Sequence, residues 1–274
     1  AELAFMMLEA YRFGMMDDDF VRGQLTPWVE GMLLFYEEHY IRDDEGRVIL
    51  NEAQALETWP NCTNPTPQVS AINRICEGVL NMDLDGEVFE RVCKTAGPPE
   101  IPLTTKTNED GESVITISPC LGGIPAGDHV NSENVETYAI WPFEYYGVNR
   151  TSTDYDVGLN TFENVQFGHA NSAWRYDGQD SAILGLAEDA WRYVVERVTT
   201  QGTTEGSQFP GYLASDESDG APQVESNGIA AVTLQKMLLQ EDGRRLLLFP
   251  AWLRRFDVEF KLRFGANLKS KAEG

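Results

Sequence analysis

The sequence predicts a mainly α protein: a succession of helical hairpins able to close into a toroid, with an inserted β-hairpin and the start of a C-terminal β-domain. Three observations predict it. Apolar residues recur at helical spacing over residues 25–40, 69–80, 183–198 and 230–238, so each segment has one stripe to bury. The longer connections between these segments repeatedly carry Trp, Tyr and carboxylates, and a toroid would gather them on one rim. Strict alternation of Phe256, Val258, Phe260, Leu262 and Phe264 with Asp257, Glu259, Lys261 and Arg263 comes only at the end, as a strand. No fixed-length repeat is evident, which argues against TPR- or ankyrin-type solenoids.

Residues 2–13 place Leu3, Met7, Ala10 and Tyr11 on one helical stripe, with Gly14 as the stop. Asp17, Asp18 and Asp19 suit the start of the next helix, where acids favour the dipole, since adjacent residues share no face for a metal. That segment carries Leu25, Val29, Met32, Leu33, Tyr36 and Tyr40 on one face, and Pro27 either begins it or kinks a longer helix from residue 18. Residues 43–46 form a turn and 47–50 a short strand. Residues 53–67 have neither helical nor strand periodicity, and Pro60, Pro65 and Pro67 stiffen them into a rigid loop. In this loop Glu57 stands near Trp59, followed by Asn61, Thr63 and Asn64: an acid and a stacking platform suited to a carbohydrate enzyme.

Thr66-Pro67 caps and starts a third helix that aligns Val69, Ile72, Cys76, Val79 and Leu80, and residues 84–95 form a fourth. Residues 103–107 and 113–118 read as a β-hairpin around 108–111. The glycine-rich loop 122–127 lacks the Lys and helix context of a phosphate loop. Residues 133–147 concentrate Tyr138, Trp141, Phe143, Tyr145 and Tyr146 with Glu136 and Glu144. After a helix at 154–165, a second polar-aromatic loop holds Trp174 and Asp177, and Asp180 could cap the strong helix with Ile183, Ala187, Ala190, Trp191, Val194 and Val198. An acidic loop, 201–228, precedes a helix with Ala230, Ala231, Leu234, Met237 and Leu238, and residues 244–250 read as a strand.

Composition narrows the partners. With Lys+Arg 21 against Asp+Glu 44, the net charge of -23 opposes phosphate backbones and anionic membrane surfaces, so neither nucleic acid nor membrane is expected. A hydrophobic content of 42% with 11% aromatics is that of a globular chain. The four cysteines, Cys62, Cys76, Cys93 and Cys120, include no CxxC pair and no His at zinc-ligand spacing, and a disulfide is possible. No apolar run approaches the roughly 20 residues of a membrane span. The chain opens Ala-Glu-Leu inside an expected helix, which reads as a fragment or trimmed product.

Four stretches carry a resemblance: AQALETWPNCTNPTPQ (53–68), ENVETYAIWPFEYYGV (133–148), AWRYDGQDSAILGLAEDA (173–190) and LQKMLLQEDGRRLLLFPAW (234–252). In order and over nearly the whole chain they resemble bacterial six-hairpin glycosidases, nearest to the family 95 glycoside hydrolases, the α-L-fucosidases and α-L-galactosidases. The resemblance implies an (α/α)6 toroid over residues 1–243, incomplete in this chain, and the start of a truncated β-domain over 244–274. It implies hydrolysis of an oligo- or polysaccharide with inversion, without a cofactor or metal, in the periplasm or outside the cell. Glu57 takes the place of the general acid, and Asp216 and Asp219 are both candidates for the Asp that assists the attacking water. The acid should be kept protonated by an apolar neighbour, and its partner should stand about 6.5–9.5 Å away. Trp59, Asn61, Asn64, Glu136, Tyr138, Trp141, Trp174 and Asp177 are the expected substrate-binding residues. Glu136 stands where the fucosidases have His, which departs from fucose recognition. A binding module would use the same aromatics without an acid pair. A polysaccharide lyase would want a Tyr or His base and a cation for the uronate, which three histidines and a strongly negative surface disfavour.

Overall fold

Most of the apolar stripes at helical spacing form helices in the computed structural model, which describes residues 1–57, 59–123, 133–171, 175–199, 224–241 and 245–265. The chain divides into two units. The first comprises Ala1–Thr104, Ile117–Ala139 and the chain from Arg263, and the second comprises Thr105–Thr116 and Ile140–Leu262.

In the first unit, α1 (Glu2–Arg12) buries Ala4 and Leu8, one position round from the expected stripe, and Leu3 is exposed. Gly14, with φ 65, ends the turn. Asp17 caps the next helix by accepting from the Phe20 amide at 3.0 Å. One helical run then continues through α2 (Asp18–Phe20), a π turn (Val21–Leu25) and α3 (Thr26–His39). Pro27 lies in the first turn of α3. Proline lacks an amide donor and its ring crowds the carbonyl four residues back, and the widened π turn accommodates both. Val21, Leu25, Val29 and Leu33 form the buried stripe, which packs with Ile72, Ile75, Val79 and Phe89.

Strands β1 (Ile41–Arg42) and β2 (Val48–Ile49) flank the expected turn. The stretch read as an irregular loop is instead a second hairpin, β3 (Ala53–Ala55) and β4 (Trp59–Cys62), pairing Ala53 with Cys62 and Ala55 with Trp59. Ala53 and Ala55 point inward and Gln54 outward, a period-2 signal too short to register. Pro60 is tolerated because a two-stranded ribbon leaves edge amides unpaired. Helix α4 (Thr66–Asn81) has Pro65, not Thr66, at its N-cap, because the Thr66 hydroxyl donates to the Ser118 carbonyl. A disulfide joins Cys76 on α4 to Cys93, in the π turn Glu90–Thr95 that follows α5 (Glu87–Phe89). A 3-10 turn, Val135–Ala139, is buried throughout and packs against α4.

The expected insertion forms as β5 (Leu103–Thr107) and β6 (Ser113–Ile117). In the second unit, α6 (Ser152–Glu163) starts on Thr151, whose hydroxyl accepts from the Asp154 amide. The single strong helix expected after residue 180 is two: α7 (Asp177–Ile183) and α8 (Ala187–Thr199). Gly185 separates them at φ 74, a left-handed conformation that stops a helix. Asp180 therefore lies inside α7, 2% exposed, rather than at its N-cap, which is Tyr176. Helix α9 (Val224–Leu238) passes directly into β7 (Leu239–Glu241), which pairs with β8 (Leu246–Leu248). Helices α7, α8 and α9 pack on one another around Ala182, Ala190, Val194 and Met237. Residues 256–264 do not form the expected strand. Their backbone has no ladder partner among the described residues, and Phe256, Val258 and Phe264 are exposed. No helix among the described residues is long and apolar enough to cross a membrane.

Candidate functional site

The sequence-predicted residues fall into two groups, one in each unit. In the first unit, the pairing of Ala55 with Trp59 puts Glu57 in the turn of the β3–β4 hairpin. Leu56 takes φ 50 on the way in and Asn61 φ 53 on the way out, so the ribbon is tightly curved around the acid. Glu57 is exposed, whereas Trp59 is half-buried against Ala55, Cys62, Cys120 and Val135. The Trp59 Nε1 is enclosed and meets no acceptor among the described residues. The hairpin thus offers an accessible carboxyl beside an indole, but Glu57 is not shielded by that indole as an apolar acid site would require.

Asn61 is exposed on β4. Asn64 differs from expectation: it is 3% exposed, its Oδ1 accepts from the Leu50 amide at 2.8 Å and its backbone N–H donates to the Leu50 carbonyl at 3.0 Å. Its polar groups serve the chain, not a ligand. Glu136 is fully buried and Tyr138 is 7% exposed, both in the 3-10 turn, so these two side chains are enclosed by protein rather than open to a sugar. The reason is local: a five-residue 3-10 turn packed on α4 turns every side chain it carries inward.

In the second unit, Trp141 is half-buried, and the Lys236 Nζ lies over its ring, 5.3 Å from the centroid. Lys236 also pairs with Glu144 at 2.5 Å, where both side chains are largely covered. One ring face of the expected stacking platform is therefore occupied by an ammonium group.

Asp177, expected to face substrate, is 4% exposed and is the centre of a buried charge cluster. Its Oδ2 accepts from Arg175 Nε at 3.0 Å, and its Oδ1 lies 2.7 Å from His169 Nδ1. Arg175, 1% exposed, also donates through Nη2 to the Gly168 carbonyl, and Arg197 donates to the Arg175 carbonyl at 2.9 Å. Burial pushes the Asp177 carboxyl up, but the His169 hydrogen bond and the Arg175 charge outweigh it and hold the group below the usual range. An ionised carboxylate can only accept, so Nδ1 of His169 carries the hydrogen and Nε2 presents its lone pair when the ring is neutral. The imidazole is half-exposed and packs on Phe162, with centroids 4.3 Å apart. Burial, then the charge of Asp177, pushes the Tyr193 hydroxyl up to about 12. A buried carboxylate fixing the tautomer of an accessible imidazole is the arrangement of a general base.

Sequence reading missed His169 and Lys236. His169 is one of three histidines and stands eight residues before Asp177, a spacing that carries no signal by itself. Lys236 meets Glu144 across 92 residues. Trp174, Asp216 and Asp219 lie outside the described residues. Among the described residues no group of three or more His, Cys, Asp or Glu could hold a metal ion. No protein-family model matches this chain, and no curated protein matches it.

Proposed function

We propose that this chain is a glycoside hydrolase of the six-hairpin type, cleaving an oligo- or polysaccharide with inversion. Glu57 is the general acid. The observation that carries the reading is the β3–β4 hairpin, whose turn holds an exposed Glu57 two residues before a half-buried Trp59. A sugar ring presents an apolar face to the exposed part of an indole, and an acid at the turn reaches the glycosidic oxygen without leaving the ribbon. Trp59 and Asn61 are the sugar-contacting residues of this hairpin. The mutually packed helices α7, α8 and α9 support an α/α toroid. The Cys76–Cys93 disulfide supports a periplasmic or extracellular setting, where such bonds persist.

Glu57→Gln tests the assignment. The variant should fold and bind as the parent does and turn over a natural glycan about 10²–10⁴-fold more slowly. Aryl glycosides with activated leaving groups, which need little protonation, should be spared. Near-normal turnover of the natural glycan by this variant refutes the role of Glu57.

One observation favours a second reading, polysaccharide elimination: His169 is held by buried Asp177 in the tautomer a base requires. Elimination from a uronate leaves a double bond that absorbs in the ultraviolet, and hydrolysis does not. A rising ultraviolet signal lost in His169→Ala would select that reading over hydrolysis.

A further inference from the structure

The first unit holds a second pair of cysteines that share one buried cluster without being bonded. Cys62 ends β4 and is 0% exposed, and Cys120 is 4% exposed; both are free thiols. The chain segments that carry them are joined by a bridge one residue further along each, Thr63 with Leu121, closed by the Leu121 amide donating to the Thr63 carbonyl at 2.7 Å. The bridge is antiparallel, so residues 62 and 120 flank it diagonally, one before it on each segment, with both side chains on the face opposite to those of Thr63 and Leu121. They pack together with Ala55 and Val135. A Cβ added to Gly123 would lie 2.8 Å from the Cys120 sulfur and 2.9 Å from the Cys62 Cβ, so one point touches both cysteines. A larger residue at 123 would wedge into the pair, and glycine leaves that space open.

We propose that Cys62 and Cys120 are a redox-active dithiol that closes into a second disulfide by exchange with a low-molecular-weight disulfide. Cys62 Sγ donates to the Trp59 carbonyl at 3.4 Å and Cys120 Sγ to the Gly122 carbonyl at 3.0 Å; the longer contact holds its proton less firmly, making Cys62 the attacking sulfur. Its thiolate attacks one sulfur of the small disulfide, whose S–S bond breaks and releases one thiolate. Cys120 then gives up its proton, and its sulfur attacks the mixed disulfide at Cys62, expelling the second small thiolate. The protein loses two electrons and two protons, and the small disulfide becomes two thiols. The bond would tie β4, the strand carrying Trp59, to the segment around residue 120. The Cys76–Cys93 disulfide places the chain under conditions in which such closure persists.

The test is equilibration of the full chain in glutathione buffers of graded oxidised-to-reduced ratio, followed by acid quench, alkylation under denaturing conditions and peptide mapping. A linked Cys62–Cys120 peptide should accumulate in one transition, separate from that of Cys76–Cys93, and Tm should rise across it. The C62A/C120A variant should lose that rise. C120S should stop at a glutathione adduct on Cys62. Both wild-type thiols remaining alkylatable in the most oxidising buffer, or each carrying its own glutathione, would overturn the proposal. The wild-type map decides even if a variant fails to fold.

Discussion

Removing the carboxylate at residue 177 should expose how much the buried charge cluster holds in place. In Asp177→Asn the shape is kept and the amide oxygen can still accept from Arg175 Nε, but the amide N–H then faces His169 Nδ1, which must give up its hydrogen and take the other tautomer. Arg175 is 1% exposed and keeps its charge, with backbone carbonyls in place of its counter-ion. Breaking a buried pair from one side costs about 3–5 kcal/mol, because the remaining ion is neither hydrated nor neutralised. The amide still accepts one hydrogen bond, which puts D177N near the lower end, about 3 kcal/mol. Replacing both partners with apolar residues, as in R175M/D177L, should cost less than D177N alone, because no charge is left stranded. Urea unfolding, with amide exchange in residues 177–183 reporting on α7, measures all three proteins. The sign of the pH effect follows from the depressed carboxyl. The stability Asp177 contributes is full above the ordinary carboxylate pKa and is lost as pH falls through its lower folded value. The gap between parent and D177N should therefore close in acid. A loss below about 1 kcal/mol for D177N, or a double variant more damaged than D177N, would refute the stranded-charge reasoning.

The same linkage applies to Glu37, where the hydrogen bonds from Arg91, then Arg42, outweigh burial and lower the carboxyl from 4.5 to about 2. Both arginines are more than a third exposed, so Glu37→Gln should cost only about 1–2 kcal/mol at neutral pH, a difference that fades between pH 4.5 and 2 in pH-dependent urea melts. C76A/C93A opens a loop of 17 residues and should lose about 3 kcal/mol in chemical denaturation, whereas equal stability would mean the bond constrains little. In Gly178→Ala the new Cβ would meet the buried Thr233 Oγ1 at 2.9 Å and the Tyr193 Cβ at 3.2 Å, which should cost about 1–3 kcal/mol. Adding Thr233→Ala should recover part of that loss in the same melts.

The helical stripes were legible because a period of 3.6 is a local property: Val29 and Leu33, or Val69, Ile72, Cys76 and Val79, announce one buried face from spacing alone. The β5–β6 hairpin and the helix start at Asp17 were legible for the same reason, since turn and cap chemistry act over a few residues. The β3–β4 hairpin was not, because its strands are too short to show alternation and prolines mask one of them. The alternating run at 256–264 misled in the opposite direction: alternation prescribes two faces but cannot supply the neighbouring strand that makes a ladder.

For the candidate site, the sequence alone determined that Glu57 and Trp59 would be neighbours, because two residues of separation on a proline-stiffened segment leave no other outcome. It also marked Asp177 as a residue of consequence. Only tertiary structure decided that Asp177 would be buried against Arg175 and aimed at His169, and that Asn64 and Glu136 would be turned inward. It likewise decided that Lys236 would lie over Trp141, and that Cys76 would bond to Cys93 while Cys62 came to rest against Cys120. Each of these depends on which side of an element faces another element distant in the chain. Local propensity leaves that choice open, and packing makes it by burying the most apolar surface that leaves the polar groups paired.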